Sequence, residues 1–303
     1  MEFHQPVLLA ESIQQLITNP EGVYVDVTFG GGGHSKKILE KLGAKGRLYS
    51  FDKDAEAVAN AQKIGDDRLV LIQSDYRFLQ EYMEYYRVTH IDGLLADLGV
   101  SSHQLNVGER GFAYRLGGDL DMRMDKRSQK TAARIVNQYE KEDLVRIFSR
   151  YGEVRNAIQL ATVVVKERSK RPFREIDDFI SRIQPVIRGK APKYLAQVFQ
   201  ALRIEVNGEL ESIDKMLEAA KSLLLPEGRL VVISYHSLED RMVKNMIRSG
   251  NTKGILERDD FGRIKKYFTP LYKGVQTATE EETQQNSRAR SAKMRTGIRT
   301  EEK

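Results

Sequence analysis

The sequence predicts an α/β fold, a mostly parallel sheet whose chain is interrupted by a helical insertion. Up to Val100, short β-branched segments alternate with helical segments, and a run of four glycines, Gly30 to Gly33, joins the first strand to the next helix. Beyond Val100 the apolar spacing becomes helical, and the alternation resumes near residue 209. Alternating strands and helices are typical of right-handed βαβ units, in which helices cover both faces of a parallel sheet.

The individual elements follow from the same patterns. A helix with Ile13, Leu16 and Ile17 on one face precedes a strand over 23–27. The other helices predicted before the insertion are 35–42, 55–63 and 78–86, and the strands are 47–51, 69–73 and 91–98. After the insertion we expect a helix over 209–224, a buried strand over 228–237, a helix over 238–248, a polar linker over 277–286 and an edge strand or arm over 288–299.

The glycine turn predicts a small-molecule site. Glycine adopts positive φ and places no Cβ between the backbone N–H groups and a ligand at the positive end of the next helix. A P-loop motif would need Lys and Ser or Thr after its last glycine, whereas this chain has Ser35 followed by two lysines. The dinucleotide fingerprint fails as well, because its third glycine falls on Ser35.

Four acids, Asp26, Asp52, Asp75 and Asp97, lie at or just after the ends of four predicted strands. Ligands of open α/β sheets bind beyond the carboxyl ends of the strands, so these acids mark one edge of the sheet as the ligand site. Asp52 stands about twenty residues after the glycine turn, where an acid suits a ribose diol. Because NAD and S-adenosylmethionine both carry such a diol, this feature alone does not separate them.

Residues 105–206 form the predicted insertion, and residues 1–104 with 207–303 form the α/β core. The segment from Arg123 to Lys193 holds 18 Lys and Arg against 9 Asp and Glu, a surplus larger than the net charge of +6 of the whole chain. A regional surplus of this size favours a polyanionic partner over a solvated helical face. The apolar stripes that predict its helices and their core are Leu144, Ile147, Phe148 and Tyr151; Ile158, Ala161 and Val165; Ile176, Phe179, Ile180 and Ile183; and Leu195, Val198, Phe199 and Leu202.

Composition excludes several classes of protein. Cysteine is absent, so disulfides and thiolate metal sites are excluded, and a cytoplasmic location is compatible with this. The sequence has neither an N-terminal apolar leader nor a run of eighteen apolar residues, so we expect a soluble protein with no membrane partner. Three histidines, His34, His103 and His236, lack the spacing of metal ligands, and we expect no metal.

Several longer motifs closely resemble one family, the bacterial 16S rRNA cytosine-N4-methyltransferases known as MraW or RsmH. The blocks that carry the resemblance are H-Q-P-V-L-L-A-E (4–11), D-V-T-F-G-G-G-G-H-S (26–35), D-G-L-L-A-D-L-G-V-S-S-H-Q-L (92–105), E-R-G-F (109–112), G-D-L-D-M-R-M-D (118–125), F-Q-A-L-R-I-E-V-N-G-E-L (199–210), S-Y-H-S-L-E-D-R-M-V-K (234–244) and N-S-R-A-R-S-A-K-M-R (286–295). The resemblance implies a Rossmann-like, class I S-adenosylmethionine-dependent methyltransferase sheet with an inserted helical domain. It also implies methylation of a cytidine N4 amine in the decoding region of 16S rRNA, with 16S rRNA or the 30S subunit as partner.

The resemblance assigns candidate site residues. It places Gly32, Gly33 and His34 in the cofactor loop, Asp52 on the ribose, Tyr76 beside the adenine, and Asp97 and Gln104 among the cofactor contacts. Methyl transfer to an amine needs a hydrogen-bond acceptor for the amine, and Asp97, at the end of the fourth strand, is the candidate catalytic residue.

Three points stay open at the level of sequence. The aromatic residue that would stack on the target base is Tyr235, His236 or Phe112. An NAD-linked oxidoreductase on a Rossmann core and a non-catalytic RNA-binding assembly factor are the alternative functions. The sequence does not indicate the oligomeric state, and a homodimer is compatible with it.

Overall fold

A computed structural model describes residues 6–61, 64–101, 104–105 and 108–301. The chain divides into two compact units, Met1–Gly99 with Leu210–Lys303 and Val100–Glu209. The first is named here the sheet unit and the second the helical unit. None of the helices in the described ranges combines the length and apolar character that a membrane span requires.

The sheet unit contains a seven-stranded sheet flanked by helices. The strands are β1 (Val23–Asp26), β2 (Arg47–Phe51), β3 (Leu69–Ile72), β4 (Ile91–Asp97), β5 (Leu224–Ser234), β6 (Phe268–Pro270) and β7 (Lys293–Arg299). Its helices before the helical unit are α1 (Leu9–Leu16), α2 (Gly33–Lys41), α3 (Ala55–Ala61) and α4 (Leu79–Tyr85). Residues 62 and 63, the end of the helix predicted over 55–63, lie outside the described residues.

Further α-helices lie in the described part of the helical unit, 108–209, and in the sheet unit after it. Those of the helical unit are α5 (Ala132–Gln138), α6 (Lys141–Arg150), α7 (Ala157–Arg168), α8 (Ile176–Ile183) and α9 (Ala191–Asn207). Those that follow are α10 (Glu209–Leu223), α11 (Ser237–Ser249) and α12 (Glu280–Gln285).

The strand order is β3-β2-β1-β4-β5-β7-β6. Strands β1 to β5 pair in parallel, and β7 is antiparallel to both of its neighbours. The order reverses between β1 and β4, which makes the gap beyond their carboxyl ends the topological switch point where ligands of such sheets bind. The glycine turn follows β1 and Asp97 ends β4, so the predicted ligand turn and one of the strand-end acids lie at this point.

Strand β4 shows why the sheet is covered on both faces. Leu94 and Ala96 pack in an apolar cluster with residues of α10 and α11, whereas Leu95 between them packs in another with residues of α1 and α2. All three side chains are completely buried, as expected for a central parallel strand. The predicted Rossmann-like α/β fold is therefore confirmed.

The helical unit is built around its own core. Leu144, Phe148, Val198 and Leu202 from the predicted stripes are buried there. The stripe predicted for α7 was wrong at Ile158, which is 64% exposed, because the helix turns Ala157, Leu160, Ala161 and Val164 toward the core.

Two predictions near the C-terminus were wrong. The polar segment 277–286 contains α12, because Thr279 caps the helix by accepting the N–H of Glu282 and three glutamates occupy the first turn. The basic segment 288–299 does not form an edge strand or arm. Its strand β7 lies inside the sheet, paired with β5 on one side and β6 on the other.

Candidate cofactor and catalytic site

The glycine turn is shaped by close packing within the sheet unit. Gly32 adopts φ 78°, and a Cβ there would lie 2.7 Å from the ring of Phe29. A Cβ at Gly33, the first residue of α2, would overlap Pro6. Phe29 itself is fixed to the next strand, because its N–H donates to the carbonyl oxygen of Phe51 at 2.9 Å. Only glycine fits these two positions, which keeps the turn tight at the start of α2.

Asp52, the residue after β2, is hydrogen-bonded to this turn. Its Oδ2 accepts the N–H of Gly30 at 2.8 Å, and its Oδ1 accepts the N–H of Asp54 at 2.9 Å. Burial raises the pKa of Asp52 to about 6 in spite of these two hydrogen bonds. Each carboxylate oxygen accepts more than one hydrogen bond, so Asp52 can hold the turn and still bind a hydroxyl pair.

Asp26 has a structural role between β1 and β4. It is completely buried and accepts the Ser35 hydroxyl at 2.6 Å, the Thr28 N–H at 3.0 Å and the Thr28 hydroxyl at 3.3 Å. The same Thr28 oxygen accepts the backbone N–H of Asp97 at 2.7 Å. This chain of hydrogen bonds fixes the end of β4 relative to the glycine turn.

Two side chains of the sheet unit lie close to the Asp97 carboxylate. The Tyr235 hydroxyl donates to Oδ1 at 2.6 Å, and Nδ1 of His34 lies 3.9 Å from Oδ2. Burial raises the pKa of Asp97 to about 6, and His34 and Tyr235 limit the rise. A carboxylate with this pKa is ionised at neutral pH and accepts a proton more readily than an ordinary aspartate.

Tyr235 is in turn positioned by α11. Glu239 is 1% exposed, and its Oε2 accepts the N–H of Tyr235 at 2.8 Å and that of His236 at 3.3 Å. Burial, reinforced by the nearby Asp97 carboxylate, raises the pKa of Tyr235 well above its usual value, so its hydroxyl stays a donor. The ring lies against Gly99, where a Cβ would be 3.4 Å away.

The structure separates the three aromatic candidates for the target base. His236 is the N-cap of α11 and forms a capping box with Glu239, which is a structural role. Phe112 is 8% exposed and belongs to the core of the helical unit. Tyr235 is the partly buried aromatic residue in direct contact with Asp97.

The other predicted site residues are distributed over both units. Tyr76 begins a short 3₁₀ helix after β3 and packs, half-buried, against the apolar cluster of the sheet. Gln104 belongs to the helical unit, where its side-chain oxygen accepts the N–H of Ser101 at 3.1 Å. Gly32, Gly33, His34, Asp52 and Asp97 all belong to the sheet unit, at the carboxyl edge of β1, β2 and β4.

Asp75 differs from the other strand-end acids. Its Oδ2 lies 3.1 Å from Nζ of Lys53, and Oδ1 accepts the N–H of Arg77. Although burial opposes ionisation, Lys53 and the Arg77 N–H hold the pKa of Asp75 below its usual value. Asp75 therefore caps the short 3₁₀ helix and forms an ion pair, which is a structural role.

Sequence reasoning did not assign roles to Thr28 and Glu239. Both stand inside motifs that the sequence shows, D-V-T-F-G and H-S-L-E-D-R. Two signals in the sequence could have found them. Thr28 is a polar residue two positions after a strand-end acid, and Glu239 is a glutamate three positions after the N-cap of a helix.

Comparison with known proteins identifies the family. The MraW methylase family matches residues 1–300. A ribosomal RNA small subunit methyltransferase H from Parabacteroides distasonis is 49% identical over 295 residues, 97% of this chain and 96% of the relative. One from Cytophaga hutchinsonii is 49% identical over 294 residues, 97% and 98% of the two chains. Among solved structures, NSun6 from Pyrococcus horikoshii with SFG is similar over 99% of this chain and 53% of its own, at 14% identity and a TM-score of 0.45.

The family match spans nearly the whole sequence, in agreement with the motifs that predicted it. The chain belongs to the MraW methylase family.

Proposed function

We propose that the protein transfers a methyl group from S-adenosylmethionine to the N4 amine of a cytidine in the decoding region of 16S rRNA. The relatives at 49% identity are named as small-subunit rRNA methyltransferases, which supports the rRNA of this subunit as substrate. The observation that carries the chemistry is the Asp97 carboxylate, fixed by Tyr235 at the switch point of the sheet. The reaction would take place in the cytoplasm, where ribosomal subunits assemble.

The residues present fit S-adenosylmethionine. The N-terminus of α2 behind the glycine turn offers N–H groups and a positive dipole end to a carboxylate. Asp52 can accept two ribose hydroxyls, and Tyr76 offers an aromatic ring at the end of the neighbouring strand. When bound, the cofactor supplies an electrophilic methyl group on its sulfonium.

In this proposal the Asp97 carboxylate accepts a hydrogen bond from the target amine. The exocyclic nitrogen of cytosine is conjugated with the ring, and it becomes cationic as it attacks the methyl carbon. A hydrogen bond from the amine to Asp97 strengthens as that charge develops, so it stabilises the transition state more than the ground state. The cofactor, held by the glycine turn and Asp52, would supply the methyl group, and its sulfur would keep the electron pair of the broken carbon–sulfur bond. The surplus amine proton then passes to Asp97, whose raised pKa suits this role.

The remaining assignments are also part of the proposal. Gly32, Gly33, His34, Asp52, Tyr76, Asp97 and Gln104 would contact the cofactor. The helical unit would recognise the RNA, since it carries the basic surplus. Membership of a methylase family favours this function over an NAD-linked oxidoreductase.

Calorimetry separates the cofactors directly. We expect the protein to bind S-adenosylmethionine and S-adenosylhomocysteine and to show no heat of binding with NADH. Binding of NADH in place of both would refute the proposal. A protein that binds S-adenosylmethionine and 30S subunits but transfers no methyl group would instead be an assembly factor.

A further inference from the structure

Much of the positive charge of the helical unit is engaged within that unit. Arg168 donates to two backbone carbonyl oxygens at 2.6 and 3.1 Å. Lys170 pairs with Glu167 at 2.7 Å, and Arg171 pairs with Asp178. Within the basic segment 166–171, which stands out in the sequence, Arg168, Lys170 and Arg171 are therefore engaged by acceptors of the helical unit.

A second basic segment has a different environment. The loop 187–193, which includes the first turn of α9, is named here the basic loop, and it carries Arg188, Lys190 and Lys193. Every residue from 188 to 193 is exposed, whereas Val186 and Tyr194 on either side are buried. From residue 179 to residue 204 the sequence has five Lys and Arg and no acid. The loop thus presents positive charge to solvent with no acid close to it in sequence.

The backbone of the basic loop is fixed at both ends. The side-chain amide of Asn156 donates to the carbonyl oxygen of Val186 at 2.8 Å. The carbonyl oxygen of Lys190 accepts the N–H groups of Lys193 and Tyr194 at 3.0 and 3.1 Å. Gly189 between them adopts φ 70° and would meet nothing within 4 Å if it carried a Cβ. The three cations are therefore held on a defined scaffold, which lowers the entropic cost of binding.

A fourth cation stands beside this loop. The Tyr114 hydroxyl donates to the carbonyl oxygen of Pro192 at 3.3 Å, and its ring packs against Phe199 with the centroids 5.6 Å apart. The next residue, Arg115, is exposed. Its guanidinium lies 5.7 Å from the ring centroid of Tyr114, the residue that contacts the basic loop.

We propose that the basic loop and Arg115 form the surface through which the helical unit contacts the sugar-phosphate backbone of RNA. The inference rests on the proposed function, which makes RNA the substrate. Exposed cations on a fixed backbone, with no acid nearby in sequence, match a row of phosphates, and contacts of this kind position a protein on RNA without reading its sequence.

The test compares two triple variants that remove the same charge. One is Arg188→Ala/Lys190→Ala/Lys193→Ala, and its matched control is Arg127→Ala/Lys170→Ala/Arg171→Ala, three exposed cations that are each paired with an acid of the helical unit. Affinity for 30S subunits from cells lacking the enzyme is measured over a salt series. The melting temperature and the affinity for S-adenosylmethionine are measured for each variant and should equal those of the wild type.

We expect the loop variant to lower the slope of log affinity against log salt by about 2 to 3. The affinity lost between about 50 and 200 mM salt would then be about 16- to 64-fold smaller than for the wild type. The control variant should keep the wild-type slope. The charge-preserving variant Arg188→Lys/Lys190→Arg/Lys193→Arg should keep it as well.

Failure of RNA binding by the basic loop and failure of the proposed methyltransferase function give different results. A loop variant with the wild-type slope, in a protein that still binds and methylates 30S subunits, overturns the inference alone. A wild type that neither binds nor methylates 30S subunits overturns the proposed function. If the loop variant loses affinity for anionic phospholipid vesicles and keeps its 30S affinity, the loop is a lipid-binding surface and the inference is wrong.

Discussion

The Tyr235 hydroxyl lies 2.6 Å from Oδ1 of Asp97, and this hydrogen bond joins the end of β4 to the residue that follows β5. The other carboxylate oxygen faces His34 at 3.9 Å, a distance too long for a hydrogen bond. Oδ1 is therefore held by a hydrogen bond, whereas the contact of Oδ2 with His34 is longer. In the proposed function Oδ2 accepts a hydrogen bond from the amine of the target cytidine.

Tyr235→Phe tests this contact with a minimal change. Losing the hydrogen bond should lower kcat by about tenfold, equivalent to about 1.4 kcal/mol, because a charged acceptor loses its donor. Since the Tyr235 hydrogen bond lowers the pKa of Asp97, its loss should also move the acidic limb of the pH–rate profile above 6. Tyr85→Phe, at a 77% exposed tyrosine, is the control. A purely structural role would change the melting temperature and leave the pH profile in place.

Asp97→Ala should reduce the single-turnover rate on 30S subunits about a hundredfold or more at saturating cofactor, as when one oxyanion-hole partner is removed. Asp97→Asn keeps an acceptor oxygen without the charge and should give an intermediate rate. In the wild type the rate should fall as pH drops through about 6, because protonated Asp97 no longer accepts from the amine as a carboxylate. Full recovery of rate at high cofactor in both variants would leave Asp97 as a cofactor-binding residue only.

Asp97→Asn should at the same time stabilise the fold at high pH. The folded-state pKa of Asp97, about 6, lies above the usual value near 3.9, so folding favours the protonated form. The stability this gives is fully present below about pH 4 and is lost as pH rises through about 6. The asparagine variant should therefore be more stable than the wild type at pH 8, by about 1 to 3 kcal/mol, with the difference vanishing near pH 4. Equal melting temperatures at pH 8 would show that the ionised carboxylate carries no burial cost.

Asp52→Ala should weaken binding of S-adenosylmethionine by roughly ten- to a hundredfold, about 1.5 to 3 kcal/mol. Part of the loss should come from the Gly30 N–H, which Asp52 accepts at 2.8 Å. Asp52→Asn retains an acceptor for that N–H and should lose less affinity. Unchanged calorimetric affinity in the alanine variant would remove Asp52 from the cofactor site.

The sequence was informative where a feature is local. The strand–glycine turn–helix segment, the acids at strand ends and the helical spacing of the insertion all follow from neighbouring residues, and the fold was predicted from them. The Asp97–Tyr235 contact was not, because it requires β5 to lie beside β4, and a pairing between distant strands leaves no local pattern. The exposure of Ile158 and the inner position of β7 were missed for a similar reason. Which face of a helix is buried depends on the helices packed against it, and whether a strand lies at the edge of a sheet depends on the strands that pair with it.

Mass spectrometry of 16S rRNA detects methylation of a cytidine N4 amine. Small subunits from cells lacking the protein are incubated with it and with S-adenosylmethionine carrying a deuterated methyl group, and nucleosides and ribonuclease fragments are analysed. We expect deuterated N4-methylcytidine in a decoding-region fragment, and its loss with Asp97→Ala at saturating cofactor. A deuterated methyl group on any other nucleoside, or none in 16S rRNA under conditions where the protein binds cofactor and subunit, would contradict the proposed function.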